Sequence, residues 1–305
     1  MIFWLLFQYG PATAGLILAI VVLLLRRQSL SAVPLGVSIA TALGTGLALA
    51  CAVVFNVWEV APVWLPFLKD VDPFALELAH YVAPLFLCAA ALLFLIFPAP
   101  ARGPRGSARL APRTLTTFAS RVWLITLGAT TAGVLAVSVL AGLASSTDEF
   151  GRYTVYELRT SSNTGASTSI YGWSLSVPCF ILISVILALI VVGLAAISRP
   201  PLTPDSRDAE ARSTRVRNIL AVATGGILLH LGAVLRSLYG TSSLFVEFDA
   251  GPAGRAEWGT PFAAIGPPLL IASYIAVVLG MALWWFVFLS VLAVRTRQAR
   301  EPVRA

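Results

Sequence analysis

One stretch decides the fold of this chain: LSVPCFILISVILALIVVGLAAI, residues 175–197. It carries no charged side chain, and its apolar residues run on without the alternation typical of a half-buried strand. About 20 apolar residues in a helix cover the roughly 30 Å hydrocarbon layer of a bilayer. A backbone inside that layer must satisfy its own hydrogen bonds, so this stretch predicts a membrane-spanning helix.

Six further stretches have the same character, and together they account for most of the chain. The predicted spans are Ile2–Leu25, Ala32–Phe55, Leu78–Phe97, Val122–Ala144, Leu175–Ile197, Ile219–Tyr239 and Phe262–Val294. Charged residues make up 11% of the chain, against about 25% in soluble domains. The sequence therefore predicts an all-α polytopic membrane protein, a seven-transmembrane-helix bundle that forms one integral membrane domain over residues 1–305.

The charges are divided between the two sides of this bundle. Most of the 21 basic residues fall in segments between alternate spans, and the remaining segments hold most of the 14 acidic residues. The basic segments are Arg26–Arg27, Arg102–Arg121, Arg199–Arg217 and Arg295–Arg304. Because basic segments stay in the cytoplasm, we expect an external N-terminus, a cytoplasmic C-terminus and a multi-pass protein of the cell membrane. Membrane lipids, not nucleic acid, are then the expected partners of the basic residues.

The links between spans predict little further structure. The link after span one is so short that spans one and two are expected to be antiparallel neighbours. The basic links are rich in Pro, Arg, Ser and Ala and are interpreted as flexible connectors, Arg199–Arg217 among them. In the external loop 146–171, residues 147–159 are expected to form a short strand or helix, and residues 160–169 a flexible polar tract. The three cysteines lie within spans and are interpreted as packing residues without a disulfide.

An ionisable side chain inside a span is costly and is therefore a candidate functional residue. His230 lies near the middle of span six. Either it is a neutral core residue bonded to a neighbouring hydroxyl or carbonyl, or it contacts a ligand, relays a proton or ligates a metal. Arg236 lies near the external end of the same span and either reaches the headgroups or faces the bundle in an ion pair.

The external ends of the other spans add three candidates for ligand binding. Glu77 and His80 have the i, i+3 spacing of a carboxylate–histidine metal pair, but a single such pair does not predict a metal site. Trp258 stands in the last external loop. We expect a site that opens to the external leaflet between spans three, six and seven, where Arg236 binds a headgroup or pairs with Glu77 or Glu257.

The sequence lacks the motifs of several common functions. The chain has no phosphate-binding glycine loop, no zinc-protease motif and no nucleophile elbow. The only lysine, Lys69, lies in a loop and not in a span, which excludes a retinal Schiff base within the bundle. No cofactor and no catalytic residue is therefore predicted, and an enzyme is not the expected class.

Short motifs carry a resemblance to known families. These are YGPATA at residues 9–14, AHYVAPLF at 79–86, LGAVLR at 231–236 and Glu257-Trp258 before span seven. With the seven spans and external N-terminus, the chain resembles fungal seven-span membrane proteins, namely the lipid-translocating exporter-like proteins and a related uncharacterised group. The resemblance implies lipid or amphiphile handling, or a stress response, at the plasma membrane.

Two classes of function follow from these observations. The first is transport or handling of a lipid or small amphiphile, which suits the polyhelical architecture and the prolines of several spans. The second is a seven-span sensor or receptor-like protein, or an accessory subunit of an oligomer or larger membrane complex. The sequence itself leaves both open.

Overall fold

The computed structural model describes residues 2–26, 34–58, 72–97, 117–159, 165–198, 206–249 and 255–300. Seven α-helices lie in these ranges: α1 Ile2–Leu25, α2 Leu35–Trp58, α3 Pro73–Ile96, α4 Arg121–Leu143, α5 Trp173–Ile197, α6 Ser206–Ser242 and α7 Gly266–Arg300. Six of them, α2 to α7, are long and apolar enough to cross a membrane. The seventh, α1, is apolar from Gly10 to Leu25. The prediction of an α-helical membrane architecture is confirmed to that extent.

Two helices begin earlier than their apolar stretches predict. Helix α3 begins at Pro73, where the Asp72 side chain accepts a hydrogen bond from the Phe74 amide at 3.1 Å, and proline suits a first helical position because its missing N–H is not needed there. Helix α6 begins at Ser206. The prediction of a flexible connector over Arg199–Arg217 is therefore wrong from Ser206 onward. Hydropathy missed these first turns, residues 206–218, because most of their residues are polar, although Ala, Glu and Arg among them are good helix formers.

Helix α6 lies at the centre of the bundle. It packs against α3, α4, α5 and α7, whereas α1 packs on α7, and α2 packs on α3 and α7. The expectation that the first two spans are close antiparallel neighbours is not met, because α7 is the principal neighbour of α1. A short link limits the distance between two helix ends but does not decide which faces pack.

Glycines allow this close packing around α6. A Cβ at Gly226 would lie 2.4 Å from Cys88 Cβ on α3, and a Cβ at Gly225 would lie 2.6 Å from the Trp284 ring on α7. Such contacts let helix backbones approach in membranes, where small residues favour van der Waals packing. The Trp284 indole N–H also donates to the Val222 carbonyl at 2.9 Å, which satisfies its polar atom in the core.

The end of the bundle where α6 begins is called the arginine end, and Arg212, Arg215 and Arg217 are among its arginines. Arg212 donates to the Ile197 carbonyl at the end of α5. Arg215 donates to the carbonyls of Leu95 and Ile96 at the end of α3, at 3.0–3.2 Å. The last carbonyls of a helix have no partner within it, so these two side chains cap two neighbouring helices.

The opposite end carries two small antiparallel sheets and is called the β end. The first sheet has the order β1 Ser146–Thr147, β2 Tyr153–Arg159 and β3 Gly165–Ser169, and the second pairs β4 Phe245–Asp249 with β5 Arg255–Gly259. The short strand predicted within residues 147–159 is confirmed as β2. Two predictions are corrected here: the chain is not purely α-helical, and residues 165–169 are not a flexible tract.

Pairing with β2 explains why the polar tract becomes a strand. Leu158 faces Ala166, and Val155 faces Ser169, in the register of β2 and β3. The backbone of β3 thus obtains its hydrogen bonds from β2, whereas its small polar side chains give no apolar alternation from which a strand could be predicted. The rest of that tract, residues 160–164, lies outside the described residues.

The sheets are fixed to the helix ends. Thr241 Oγ1 of α6 donates to the Ser169 carbonyl of β3 at 2.9 Å, and the Tyr153 amide of β2 donates to Ser174 Oγ of α5 at 2.8 Å. Arg152 lies 3.4 Å from the Asp72 carboxylate and 4.3 Å from the centre of the Phe74 ring. The β end is therefore a structured cap over the ends of α3, α5 and α6.

Candidate functional site

The most distinctive polar group of the bundle lies where this cap meets the helices. His230 of α6 is fully buried, and its Nδ1 lies 2.9 Å from the Tyr81 carbonyl of α3. Its Nε2 lies 3.3 Å from the Tyr171 hydroxyl, and the Tyr81 and Tyr171 rings are 4.6 Å apart. These three residues, Tyr81, Tyr171 and His230, are called the tyrosine–histidine cluster.

The geometry assigns the protons of this cluster. A carbonyl oxygen can only accept, so Nδ1 of His230 must carry a hydrogen and donate to Tyr81. In the neutral ring Nε2 is then an acceptor, and the Tyr171 hydroxyl donates to it. The imidazole is thus held in one tautomer by two partners, as expected for a buried polar side chain in a membrane bundle.

A proline lies close to the acceptor in α3. Pro84 lies inside α3 and lacks the N–H that would bond the His80 carbonyl, and its ring crowds the preceding turn. The adjacent carbonyl, that of Tyr81, accepts from His230. Membrane helices tolerate proline where neighbouring groups satisfy the freed backbone.

Tyr171 is placed by the link between β3 and α5. The Ile170 amide donates to the Thr154 carbonyl of β2 at 2.8 Å. Two residues later, a Cβ at Gly172 would lie 2.1 Å from the Tyr153 carbonyl. Only glycine fits there, which draws the link tightly against β2. The Tyr171 ring consequently points into the bundle and is fully buried.

The hydroxyl of Tyr171 has further polar neighbours. It interacts with Cys179 of α5 and with Ser138 of α4, although Ser138 Oγ makes no hydrogen bond of good geometry. Burial raises the pKa of Tyr171 above its ordinary value, because the charged phenolate would lose its water. The group therefore remains a neutral hydrogen-bond donor at physiological pH.

Two of the residues proposed from sequence lie beside the cluster. The His80 ring meets the Tyr81 ring edge-on, with centres 5.4 Å apart, and His80 is close enough to His230 and to Glu77 to interact electrostatically with each. Glu77 is half-buried one turn before His80 on α3. The structure thus brings Glu77, His80 and His230 into one region at the β end.

The other two residues proposed from sequence lie apart from it. Arg236 is exposed, and Trp258 on β5 is 52% exposed. Six residues after His230, Arg236 points about 120° away around the helix. Within the described ranges Arg236 makes no ion pair with Glu77 or Glu257, so the pairing proposed from sequence is not present.

Metal coordination was one interpretation of the histidines. Among the residues that the structure describes, His, Cys, Asp and Glu side chains form no group of three or more that could hold a metal ion. Glu77 and His80 thus have no third ligand of these types in that part of the chain. The chemistry that the cluster offers is hydrogen bonding and aromatic contact in an apolar setting.

Sequence reasoning missed both tyrosines of the cluster. Tyr81 directly follows His80, but its contribution is a backbone carbonyl, which no residue type signals. Tyr171 precedes an apolar span and is typical of an interfacial aromatic. The one available signal was the sequence Tyr171-Gly172-Trp173, in which a glycine beside two aromatics marks a close approach of the backbone.

Comparisons of this chain with protein-family models, with curated proteins and with solved structures found no match. The resemblance to fungal seven-span proteins therefore stays a prediction. Function has to be argued from the site itself.

Proposed function

We propose that the chain is a seven-span protein of the cell membrane whose β end faces outward and whose arginine end faces the cytoplasm. The asymmetry of charge supports this orientation, since the arginine end carries the basic segments and the β end most of the acids. The apolar composition of α1 supports counting it as a span beside the six longer candidates.

We further propose that the protein binds and handles a lipid or small amphiphile in the external leaflet. The observation that carries this proposal is the tyrosine–histidine cluster, a satisfied polar group at the junction of an apolar bundle and a structured cap. Small-molecule sites combine apolar walls with a few placed polar groups. A headgroup would compete for the Tyr171 hydroxyl, and its chains would lie along the apolar helices.

The depth of the cluster suits a headgroup. Arg217 and Arg236 are about 28 Å apart along α6 at about 1.5 Å a residue, close to the roughly 30 Å thickness of the hydrocarbon layer. His230 lies about 9 Å before Arg236 on the same scale. This spacing favours the outer third of the layer over its centre, which was the position expected from the apolar stretch alone.

The same helices argue against ion-coupled transport. The segment of α6 from 218 to 235 contains no Asp, Glu, Lys or Arg, and neither do α5 or residues 266–294 of α7. Coupled pumps and transporters use ionisable chains within the membrane, and His230 in α6 is bonded to a hydroxyl and a carbonyl, not to an acid. Handling here is therefore passive, through binding and release at the external leaflet.

A flux assay tests this proposal. The purified chain is reconstituted in vesicles containing a fluorescent phospholipid, and the fraction accessible to an external quencher is followed with time. Wild-type protein should speed the exchange between leaflets or retain the lipid in a protected site, and Tyr171→Phe should reduce either effect several-fold. The matched control is Tyr153→Phe, which changes a half-exposed tyrosine of strand β2. Kinetics equal to those of empty vesicles, with no lipid retained, would contradict the proposal.

One observation favours the accessory-subunit alternative. Four aromatic side chains at the β end are exposed by 46–77%: Phe150, Tyr153, Phe245 and Trp258. Exposed aromatic residues are enriched where proteins bind one another. Chemical cross-linking in intact membranes, before detergent is added, should then capture one defined partner through this surface, and Phe150→Ser with Trp258→Ser should abolish the product. Capture of no partner would leave lipid handling as the better explanation.

A further inference from the structure

Helix α4 places a buried hydroxyl beside the tyrosine–histidine cluster. Ser138 is fully buried, and its Oγ has no hydrogen-bond partner among the residues that the structure describes. Hydroxyls in helices commonly donate to the carbonyl four residues earlier, as Thr126 and Thr130 of the same helix do. Burying a hydroxyl without a partner is costly, so Ser138 requires a partner that the described residues do not supply.

A contact one turn further along α4 fixes the place of this hydroxyl. A Cβ at Gly142 would lie 2.6 Å from the ring of Trp173, which follows Tyr171 by two residues. The end of α4 therefore packs directly on the link that carries Tyr171. Ser138 lies on this inner side of α4 and is close enough to the Tyr171 hydroxyl to interact with it.

The helices around Ser138 carry no charge at this depth. Helix α4 packs on α5 and α6. Residues 122–143 of α4, all of α5 and residues 218–235 of α6 contain no Asp, Glu, Lys or Arg. Glu77 lies on α3, and Arg236 is exposed. A charged headgroup between α4, α5 and α6 would thus have no counter-charge, which is costly inside a membrane bundle.

The hydrogen bond to His230 limits what Tyr171 can offer a ligand. The hydrogen of the Tyr171 hydroxyl is directed at His230 Nε2. Its oxygen therefore offers only lone pairs, and a ligand has to donate to it. Ser138 Oγ can both donate and accept. A hydroxyl group that donates to Tyr171 and accepts from Ser138 meets both requirements, whereas the phosphodiester and quaternary ammonium of phosphatidylcholine contain no hydrogen-bond donor.

We propose that the ligand of the tyrosine–histidine cluster is a lipid whose polar end is an uncharged hydroxyl, as in a diacylglycerol, bound between Tyr171 and Ser138. This inference rests on the proposed lipid handling in the external leaflet and names the class of lipid. Val139 and Leu140, next to Ser138 on the outer side of α4, are 39% and 67% exposed, and the acyl chains would lie against them. A water molecule can make the same two hydrogen bonds, and the experiment separates it from a lipid.

Photoaffinity labelling of the full chain in phosphatidylcholine vesicles tests this assignment. Three probes carry the same diazirine acyl chain: a diacylglycerol, its methyl ether, which lacks the hydroxyl hydrogen, and a phosphatidylcholine. The diacylglycerol should label α4, α5 and α6 near the β end, and the other two should label them at least about threefold less. Ser138→Ala should reduce labelling by the diacylglycerol about three- to tenfold, the effect of one neutral hydrogen bond. Ser184→Ala, at an exposed serine of α5 that donates to the Phe180 carbonyl at 2.8 Å, should be labelled like the wild type.

The comparison of probes on the wild type does not depend on the folding of any variant. Ser138→Ala removes an unsatisfied hydroxyl, so its unfolding midpoint without ligand should equal or exceed that of the wild type, and weaker labelling then reports a lost contact. Equal labelling by the diacylglycerol and its methyl ether would overturn the inference. Labelling that Ser138→Ala leaves undiminished would also overturn it and assign the hydroxyl to water.

The remaining outcomes separate this inference from lipid handling itself. Labelling by phosphatidylcholine that equals labelling by the diacylglycerol, and that excess unlabelled lipid displaces, would overturn the hydroxyl ligand and leave lipid handling in place. Labelling by none of the three probes, together with no flux in the vesicle assay, would contradict both.

Discussion

At the scale of single residues, His230 shows how this bundle can bury a polar side chain whose hydrogen bonds are all made by neighbouring elements. His230 donates to one helix and accepts from a link that the β-sheet holds in place. The histidine thereby connects the membrane helices to the cap through two hydrogen bonds. Removing either partner should affect the stability of the whole chain and not only a local contact.

Tyr171→Phe tests that connection with the smallest change. The ring and its packing remain, but His230 Nε2 loses its donor, and an unsatisfied buried group costs about 1–3 kcal/mol. Unfolding in detergent, followed by fluorescence, should show a loss of stability in that range. Tyr153→Phe changes a half-exposed tyrosine and should change stability by less than about 0.5 kcal/mol. Equal stabilities of the two variants would mean that the bond to His230 contributes nothing.

Glycine provides the second test at this scale. Gly226→Ala places a methyl group 2.4 Å from Cys88 Cβ, so α3 and α6 must separate, and overpacking of this kind costs about 1–3 kcal/mol. The measurement is again the midpoint of unfolding in detergent. Gly133→Ala in α4 has nothing within 4 Å and should be neutral or slightly stabilising, because alanine is the better helix former. A neutral Gly226→Ala would show that the helices are less closely packed than described.

The sequence identified His230 because an ionisable group stands out in an apolar stretch. It could not identify Tyr171, because burial of that ring depends on β2, whose position over α5 is a tertiary property. Arg236 and Trp258 were proposed from their level along the spans alone. The position of a residue along a span determines its depth in the bundle, but not the direction of its side chain around the helix axis. Both side chains are exposed.

At the scale of elements, apolar length located the helices but not their ends. Helix α6 gains more than three mainly polar turns from Ser206 onward, and α3 gains the capped turn at Pro73. Neither turn needs to be apolar, because both lie at the ends of the bundle. The sequence did not predict strand β3 for a related reason, because β3 forms a strand only through its pairing with β2.

Hydroxyl side chains on α4 give a prediction about an element. Thr126 and Thr130 donate to the carbonyls four residues earlier, at 2.9 and 2.7 Å, as is common in helices. Thr131 is buried, and its Oγ1 has no partner.

Thr131→Val should therefore stabilise the chain by about 1 kcal/mol or more, because it replaces an unsatisfied hydroxyl by a methyl group of similar size. Thr130→Val is the control and should have little effect at its partly exposed position. Both are read from the unfolding midpoint in detergent. Destabilisation by Thr131→Val would instead indicate that the hydroxyl forms a hydrogen bond with a bound water or another polar molecule.

At the scale of the whole molecule, orientation in the membrane remains a prediction from charge. A single cysteine at position 162, in the link after β2, should react with an impermeant maleimide in intact cells. A cysteine at position 206, where α6 begins, should react only after the cells are opened. The reverse pattern would invert the proposed topology and move the tyrosine–histidine cluster to the cytoplasmic leaflet.

Which helices pack together could not be predicted from the sequence. The apolar stretches of all seven helices are apolar on most of their faces, so no stripe distinguishes the face that meets a neighbour. The glycines of α6 are signals of close packing in retrospect, but small residues are common in membrane helices generally. In the folded chain Gly225 meets α7 and Gly226 meets α3.

The arginine caps have a consequence for the order of assembly during synthesis. Helices α3 and α5 leave the ribosome before α6, yet Arg215 and Arg212 of α6 donate hydrogen bonds to carbonyls at the ends of both. Until α6 arrives, those carbonyls must stay in contact with water or headgroups. The ends of α3 and α5 are thus completed by a helix that is translated after both of them.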